Sequence, residues 1–431
     1  MTRLETKQNT KKRRKTQTCK VYEVKVNKSK LSKHSKKHLK SLFLEGKWLY
    51  NSILSSSDIK TYDTKIKEVS VKVQDTFETR KLSHISSQMK QTIRDRTFQN
   101  ILNLNKAKKK GLKTGRLKFK SYINCIPLNQ YNITYKILKA SNSVKIQGLK
   151  KSVKVHGLQQ IPKDAELANA NLIEKGGDYY FKITAFVSKV KKNIPNKSIG
   201  IDFGCETQLT LSNGIKLKYE LPVPRTLKKL DRKIMKKNRK RSNNKLKDQA
   251  KRRKLYNKLN NKKQDIKNKI VSCLVNNYKY ISFQDENIRA WRAGKHGKKI
   301  QNTAIGGIIS ALKKKAHTPV VVNKFFPSTQ LCPVCNTKNK LPVWQRTYKC
   351  SCGYTEDRDL KSAQCIETEG LQNTISTERR NTMLRDTESS VSKIFSNLEN
   401  ILDVSFCRKT QLHQSSHYLV EKELRSLTLY G

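Results

Sequence analysis

The chain has 431 residues, with 93 Lys and Arg against 33 Asp and Glu, and a formal charge of +60 on a composition that is 35% hydrophobic. A chain so charged repels itself unless a polyanion neutralises it, so nucleic acid is the expected partner and an anionic membrane surface a much weaker one. There is no run of 18 apolar residues and no basic segment leading into an apolar signal core, which predicts a cytoplasmic, nucleoid-associated protein with no membrane span, and the length predicts two or three domains.

Residues 1–18 are polar and basic around Lys11-Lys12-Arg13-Arg14-Lys15, which reads as a solvated, disordered arm that touches phosphate. Tyr22, Val24 and Val26 then alternate with polar residues as in a strand. Residues 32–107 read as helical. Leu39, Leu42, Phe43, Trp48, Leu49 and Ile53 recur on one face of a first helix. Ile85, Met89, Ile93, Phe98 and Ile101 recur on one face of a second. After a linker at 106–114, strands are predicted at 117–122, 133–138, 143–146, 153–155, 171–174 and 179–187, punctuated by Gly and Asn turns, and together they suggest an antiparallel β-barrel.

A second region opens at Ser198-Ile199-Gly200-Ile201-Asp202-Phe203-Gly204, an apolar strand that ends in an acid, with a partner strand at 207–212 and a turn at Asn213-Gly214. An acid held at the end of a rigid strand yet open to solvent suits a metal ligand, and it equally suits a turn cap. Residues 225–269 hold 21 Lys or Arg against Asp231, Asp248 and Asp265. A thin apolar stripe through Leu227, Leu230, Ile234, Leu255, Leu259 and Ile266 predicts two helices broken near Ser242-Asn243-Asn244. A merely solubilising face would mix signs, so this stretch is expected to follow a phosphate backbone. A further apolar strand, Tyr280 to Phe283, runs into Gln284-Asp285-Glu286-Asn287-Ile288.

Residues 325–366 hold Cys332 and Cys335, then Cys350 and Cys352, separated by a hairpin-length loop, with Gly353 after the second pair and Glu356-Asp357-Arg358-Asp359 shortly beyond. Two thiolate pairs on facing turns are what a tetrahedral structural Zn²⁺ requires. The second pair is C-x-C, one residue tighter than the usual C-x-x-C. Cys19, Cys125, Cys205, Cys273, Cys365 and Cys407 are scattered and read as ordinary thiols.

The motif around these cysteines, from Phe325 to Gln330 through Gly353-Tyr354 and Asp357-Arg358-Asp359 to Ser362-Ala363, resembles the C-terminal signature of the TnpB family of transposon-encoded RNA-guided DNA endonucleases, relatives of compact type V CRISPR effectors. The resemblance covers roughly residues 19–366. It implies an α+β multidomain fold: a β-barrel wedge domain with an inserted helical recognition lobe, then an RNase H-like (RuvC) α/β nuclease domain carrying an inserted zinc element. The implied divisions are 1–31 for the arm and first wedge strand, 32–110 for the recognition lobe, 111–195 for the barrel, and 196–324 for the first two RuvC-like segments. The zinc insertion follows at 325–355, the third segment at 356–370 and a tail at 371–431, within which Glu378-Arg379-Arg380 and a marginal helical pattern at 391–402 carry no chemistry.

By the same resemblance the partners are a guide RNA from the transposon end and target double-stranded DNA, and a monomer is compatible with it. Asp202, an acid from the middle segment and Asp359 would hold two Mg²⁺ ions, suited to hard oxygen ligands, while the four cysteines would hold one Zn²⁺. The family's middle acid is a glutamate at the end of the apolar strand. One alignment puts Gln284 there and the other puts Glu286. Glu286 projects to the same side of an extended strand as Gln284, and Asp285 to the opposite side, so Glu286 is the choice; Glu206 or Glu220 is a further candidate. The family usually has Asn where this chain has Lys361. Two rival functions are a nuclease-inactive RNA-guided DNA-binding repressor of the same architecture and an RNase H-fold transposase that performs strand transfer.

Overall fold

The alternation at Tyr22, Val24 and Val26 makes a strand, β1 (Gln17–Val26), whose Val24 and Val26 are buried, and this strand becomes the middle of a sheet rather than its edge. The computed structural model describes residues 3–190, 193–219, 221, 223–236, 242–294, 297–342 and 344–374; the tail features at 378–380 and 391–402, and Glu220, lie outside them. The chain divides into two units, Met1–Lys191 and Lys192–Gly431.

In the first unit the basic arm is a helix, α1 (Arg3–Lys15), and not a loose segment. It is anchored because the Arg14 guanidinium lies 3.3 Å over the Phe186 ring and both Arg13 and Arg14 pair with Glu166 at 2.8–2.9 Å. Following β1 come α2 (Lys33–Ser55) and α3 (Ser87–Lys109), N-capped by the side chains of Ser32 and Ser86. Their buried faces include Leu39, Leu42, Leu49, Ile53, Met89 and Ile93. The segment between them is not helical as expected: β2 (Glu68–Val73) and β3 (Thr76–Lys81) form a hairpin. The sequence Glu-Val-Ser-Val-Lys-Val has a period of two, and Gln74 takes a positive φ at the turn.

The strands β4 (Cys125–Leu128), β5 (Tyr135–Leu138), β6 (Ser143–Ile146), β7 (Val153–His156), β8 (Glu166–Lys175) and β9 (Asp178–Ser188) complete a seven-stranded antiparallel sheet in the order β4-β8-β9-β1-β7-β6-β5. It is nearly closed, with the Tyr135 hydroxyl on the last strand donating to the Ala168 carbonyl of β8 at 2.9 Å. The strand expected at 117–122 is absent: that backbone is irregular. Its hydrogen bonds go to a side chain instead, since Asn51 of α2 accepts from Lys120 N at 2.9 Å and donates to Lys120 O at 3.0 Å.

The second unit is built on a mixed sheet of five strands: β10 (Ser198–Phe203), β11 (Leu209–Leu211), β12 (Lys216–Leu217), β13 (Tyr280–Gln284) and β14 (Thr318–Val322), in the order β12-β11-β10-β13-β14. β10, β13 and β14 are parallel; β11 and β12 return antiparallel. The basic stretch forms α4 (Arg225–Lys236) and α5 (Asn243–Asn277), with Ser242 capping α5 at the expected break. Two of its three acids tie the helices together, Asp231 to Arg252 and Asp248 to Lys233, so the positive charge of the remaining surface is left largely unopposed. Short helices α6 (Ile288–Ala293), α7 (Gly297–Thr303) and α8 (Ile305–Lys315) lead into β14. A cysteine-bearing loop with the hairpin β15 (Thr347–Lys349) and β16 (Thr355–Asp357) precedes α9 (Arg358–Gln372), which crosses the sheet over β10 and β13. Among the described residues no helix is long and apolar enough to cross a membrane.

Candidate nuclease centre and cysteine site

The contact of α9 with the sheet fixes which side chains meet. A Cβ on Gly200 would stand 2.1 Å from the Ala363 carbonyl oxygen, and one on Gly370 would stand 2.6 Å from the Ser282 hydroxyl. These two glycines let the helix lie directly on the strands. Side chains alternate along a strand, so the face of β10 that Gly200 turns to α9 is also the face of Asp202, one pleat further on and opposite the first turn of the helix, where Asp359 lies.

Asp202 is crowded there. Its carboxyl is pushed up to about 8, first by burial, then by the charge of Asp359, then by that of Glu286; the Arg358 guanidinium and a hydrogen bond with Ser362 oppose the rise only partly. Burial, with Asp285 adding, also raises Glu286. Acidic side chains that oppose one another's ionisation across a shared field are a setting that favours a cation. Asp359 meets cations already: Arg346 at 3.7 Å and Arg358 at 3.9 Å. Asp357 does different work. Its carboxylate caps α9, accepting from Asp359 N at 3.1 Å and Leu360 N at 3.0 Å, and pairs with Lys216 at 2.8 Å.

The middle segment differs from the extended strand expected of it. β13 ends at Gln284, Asp285 N still donates to Val322 O, and the chain then turns, with Glu286 N bonding Gln284 O and Ile288 N bonding Glu286 O at 3.0 Å each. Glu286 therefore reaches the field of Asp202 from a turn and not from a strand carried two residues further. Asp285 faces away, to Lys313 on α8 at 2.7 Å. Gln284 is buried, and its amide nitrogen donates to the carbonyls of Asn323, Lys324 and Phe326 at 2.8–3.2 Å. Glu206 is exposed and pairs with Arg346 at 2.8 Å.

The four cysteines converge. Cys332 and Cys352 Sγ lie 3.7 Å apart, Cys335 and Cys350 Sγ 3.5 Å apart, and all four sulfurs are within 4.8 Å of one another. Four sulfurs ~2.3 Å from one tetrahedral ion would be about 3.8 Å apart, so the set fits Zn²⁺. The tight C-x-C closes because Gly353 takes φ +85°, letting Gly353 N return to Cys350 O at 3.0 Å and Cys350 N bond Tyr354 O at 2.9 Å. The Thr337 hydroxyl foremost, with further hydrogen bonds, brings the Cys335 thiol down to about 6, toward the thiolate a metal needs. Among the described residues this is the group of His, Cys, Asp or Glu side chains close enough to share an ion; the three acids do not form such a group.

The sequence reading missed Arg346, which lies in the cysteine loop and pairs with both Glu206 and Asp359; nothing in its neighbourhood marks it. Lys361 entered only as a departure from a pattern. Its side chain is fully buried.

Comparison with known proteins gives two family matches. A family described as "Probable transposase" (OrfB_IS605) matches residues 182–290, and one described as "Cas12f1-like, TNB domain" matches residues 308–366. A curated Streptomyces pristinaespiralis protein named "Putative RNA-guided DNA endonuclease" is 31% identical over 183 residues, 40% of this chain and 45% of that protein, so the likeness spans under half of the relative's length. A solved Cas12f1 chain, from a complex with sgRNA and target DNA, is 13% identical at a TM-score of 0.44, covering 78% of this chain and 83% of that one.

Proposed function

We propose, from the premise that this chain belongs to the TnpB family, that it is an RNA-guided DNA endonuclease: a guide RNA from the transposon end pairs with one strand of a DNA duplex, and the second unit cuts the DNA. The observation that carries this is the meeting of Asp202 with the charges of Asp359 and Glu286 under α9. The strand order β12-β11-β10-β13-β14, with the acid on the central strand and the parallel strands beyond it, supports reading the second unit as an RNase H-type domain. The nearly closed sheet of the first unit, with helices entering after its first strand, supports a wedge barrel with a recognition lobe.

Asp202, Glu286 and Asp359 would hold Mg²⁺, two ions in the family's scheme, whose chemistry when bound is to activate water and stabilise the leaving 3′ oxygen. The carboxylate donors fit such a hard cation. This chain's own groups do the rest. Burial of Asp202 excludes bulk water from one side of the centre. Arg346 and Arg358 hold Asp359 in place and offer positive charge where a scissile phosphate would approach. The surfaces of α4 and α5 attract the backbone of a duplex or heteroduplex, while base pairing supplies the sequence choice.

One observation favours a second reading, a nuclease-inactive RNA-guided DNA-binding protein. In the parallel ladder Ile201 pairs with Phe283, so the next step puts Gln284, a neutral side chain, beside Asp202. The two readings separate in one assay with the native guide and a matching target: if Glu286 serves, the unmodified protein cuts with Mg²⁺ and Glu286→Gln does not. If the unmodified protein binds the target without cutting and Gln284→Glu creates cleavage, the second reading replaces the first.

A further inference from the structure

The Lys361 side chain, on the second turn of α9, is fully buried, yet its ammonium is fully engaged. It donates to the Ser328 carbonyl at 2.9 Å and the Leu331 carbonyl at 3.0 Å, and lies 4.0 Å over the Tyr348 ring. An ammonium has three N–H bonds, and two carbonyls and a ring face account for all of them. The partners are not scattered. Residues 328 and 331 are the root of the cysteine loop, immediately before Cys332, and Tyr348 is on β15 between the two cysteine pairs. The Tyr348 hydroxyl donates back to the Gln330 carbonyl at 3.1 Å, closing the same root. Next along α9 the Ser362 hydroxyl donates to Ser328 Oγ at 2.9 Å, which in turn reaches Gln284 Oε1 at 3.3 Å, while the Gln284 amide holds the carbonyls of residues 323, 324 and 326.

A single buried polar network thus ties three things: the end of the strand that leads to Glu286, the root of the cysteine loop, and the helix whose first turn carries Asp359. We propose that Lys361 is a positioning residue that latches the cysteine element to α9, so that closing the four-cysteine site and seating Asp359 opposite Asp202 are one event. The physical reason is that a buried charge tolerates no half-made contacts. The ammonium is satisfied only when residues 328–331 and the Tyr348 ring are in place together, and a closed cysteine site is what holds Tyr348 and residue 331 at fixed distance. This deepens the nuclease reading and rests on it for the purpose of the latch, though the latch itself can be measured without cleavage.

The test is hydrogen exchange of the peptide covering residues 356–364 in full-length protein, with zinc bound and after chelation, for the unmodified chain and for Lys361→Met, which keeps the volume and removes the charge. In the unmodified chain, zinc removal should speed exchange of the first turn of α9 by about tenfold or more. In Lys361→Met that turn should exchange fast with zinc present, and chelation should change it less than twofold; the Mg²⁺ concentration for half-maximal cleavage should rise. Should Lys361→Met fail to fold, Lys361→Gln, which can still donate to one carbonyl, takes its place and should show a partial loss. The proposal is overturned if either variant keeps the full zinc-dependent protection, or if the unmodified chain shows none. Absence of cleavage by the unmodified protein would count against the nuclease reading alone, because the exchange readout does not pass through it.

Discussion

Replacing Asp202 with Asn should make the metal-free protein more stable while abolishing cleavage. The carboxyl is moved from an ordinary 3.8 to about 8 by burial and by Asp359 and Glu286. At ~1.4 kcal/mol per pH unit this is at most ~6 kcal/mol of unfavourable ionisation. The residue keeps some solvent contact and has Arg358 beside it, so about half of that, ~2–3 kcal/mol, is the working figure. The sign is set by where the proton resides. Below pH ~4 both folded and unfolded chains hold it and the penalty is absent. Between ~4 and ~8 the folded chain keeps a proton the unfolded chain has released, so stability falls as pH rises, and above ~8 the whole penalty is present. Asn carries no charge, so the variant should be flat through that window relative to the unmodified chain. The assay is urea unfolding of chelator-treated, RNA-free protein from pH 4.5 to 9. Asp202→Asn should match the unmodified protein at the acid end and exceed it by ~2–3 kcal/mol at pH 8.5, roughly 4–12 °C in melting temperature for a unit of this size. Mg²⁺ should narrow the gap by stabilising only the unmodified chain. If the variant is no more stable at pH 8.5, Asp202 is not in the crowded setting described, and the cation site built on it fails.

The cysteine site should carry one zinc per chain by elemental analysis of protein purified without chelator, and Cys332→Ser should lower that content sharply; a content far below one in the unmodified protein would refute the site. Asp357→Ala should cost ~1 kcal/mol through the lost cap of α9 and leave cleavage within a few-fold, whereas Asp359→Ala should eliminate cleavage and leave guide-directed binding intact. Retained cutting by Asp359→Ala would move the catalytic role to Asp357. Gly200→Ala should destabilise the second unit by at least ~2 kcal/mol, because its methyl meets the backbone oxygen of Ala363 and the helix must lift. An unchanged unfolding midpoint would mean α9 does not press on β10 as described.

What the sequence could reveal was set by the range of the forces involved. Period-two patterns placed β6, β7 and β9 within a residue or two, and the buried C-terminal half of β1 though not its start at Gln17, because alternation reports a half-buried ladder directly. The same signal at 117–122 misled, since Asn51, nearly 70 positions away, takes the backbone bonds that a neighbouring strand would have taken. The basic arm read as loose because its anchors, Glu166 and Phe186, lie over 150 residues downstream. At the candidate centre, local spacing sufficed for the four cysteines, whose site is closed by two short turns. It could not say how Glu286 approaches Asp202, because that depends on β13 ending at Gln284 and on a pair of narrow turns. Nor could it show that Lys361 is buried, since its partners come from two other segments, residues 328–331 and Tyr348.

The position of β1 in its sheet has a consequence for how the protein is made. β1 pairs with β9 over nine residue pairs, from Gln17 with Ser188 to Lys25 with Tyr180, and with β7 on its other side. β1 therefore waits, after its own synthesis, for a partner strand made more than 150 residues later. Until roughly residue 188 has emerged, the centre of the sheet cannot form, and the apolar faces of α2, α3 and the outer hairpins have no lid. Contacts of such long sequence separation fold slowly, and a nascent chain carrying unpaired strand edges is exposed to aggregation during synthesis. Expression of the first 170 residues alone should give insoluble protein, and extension past Ser188 should restore solubility to the unit.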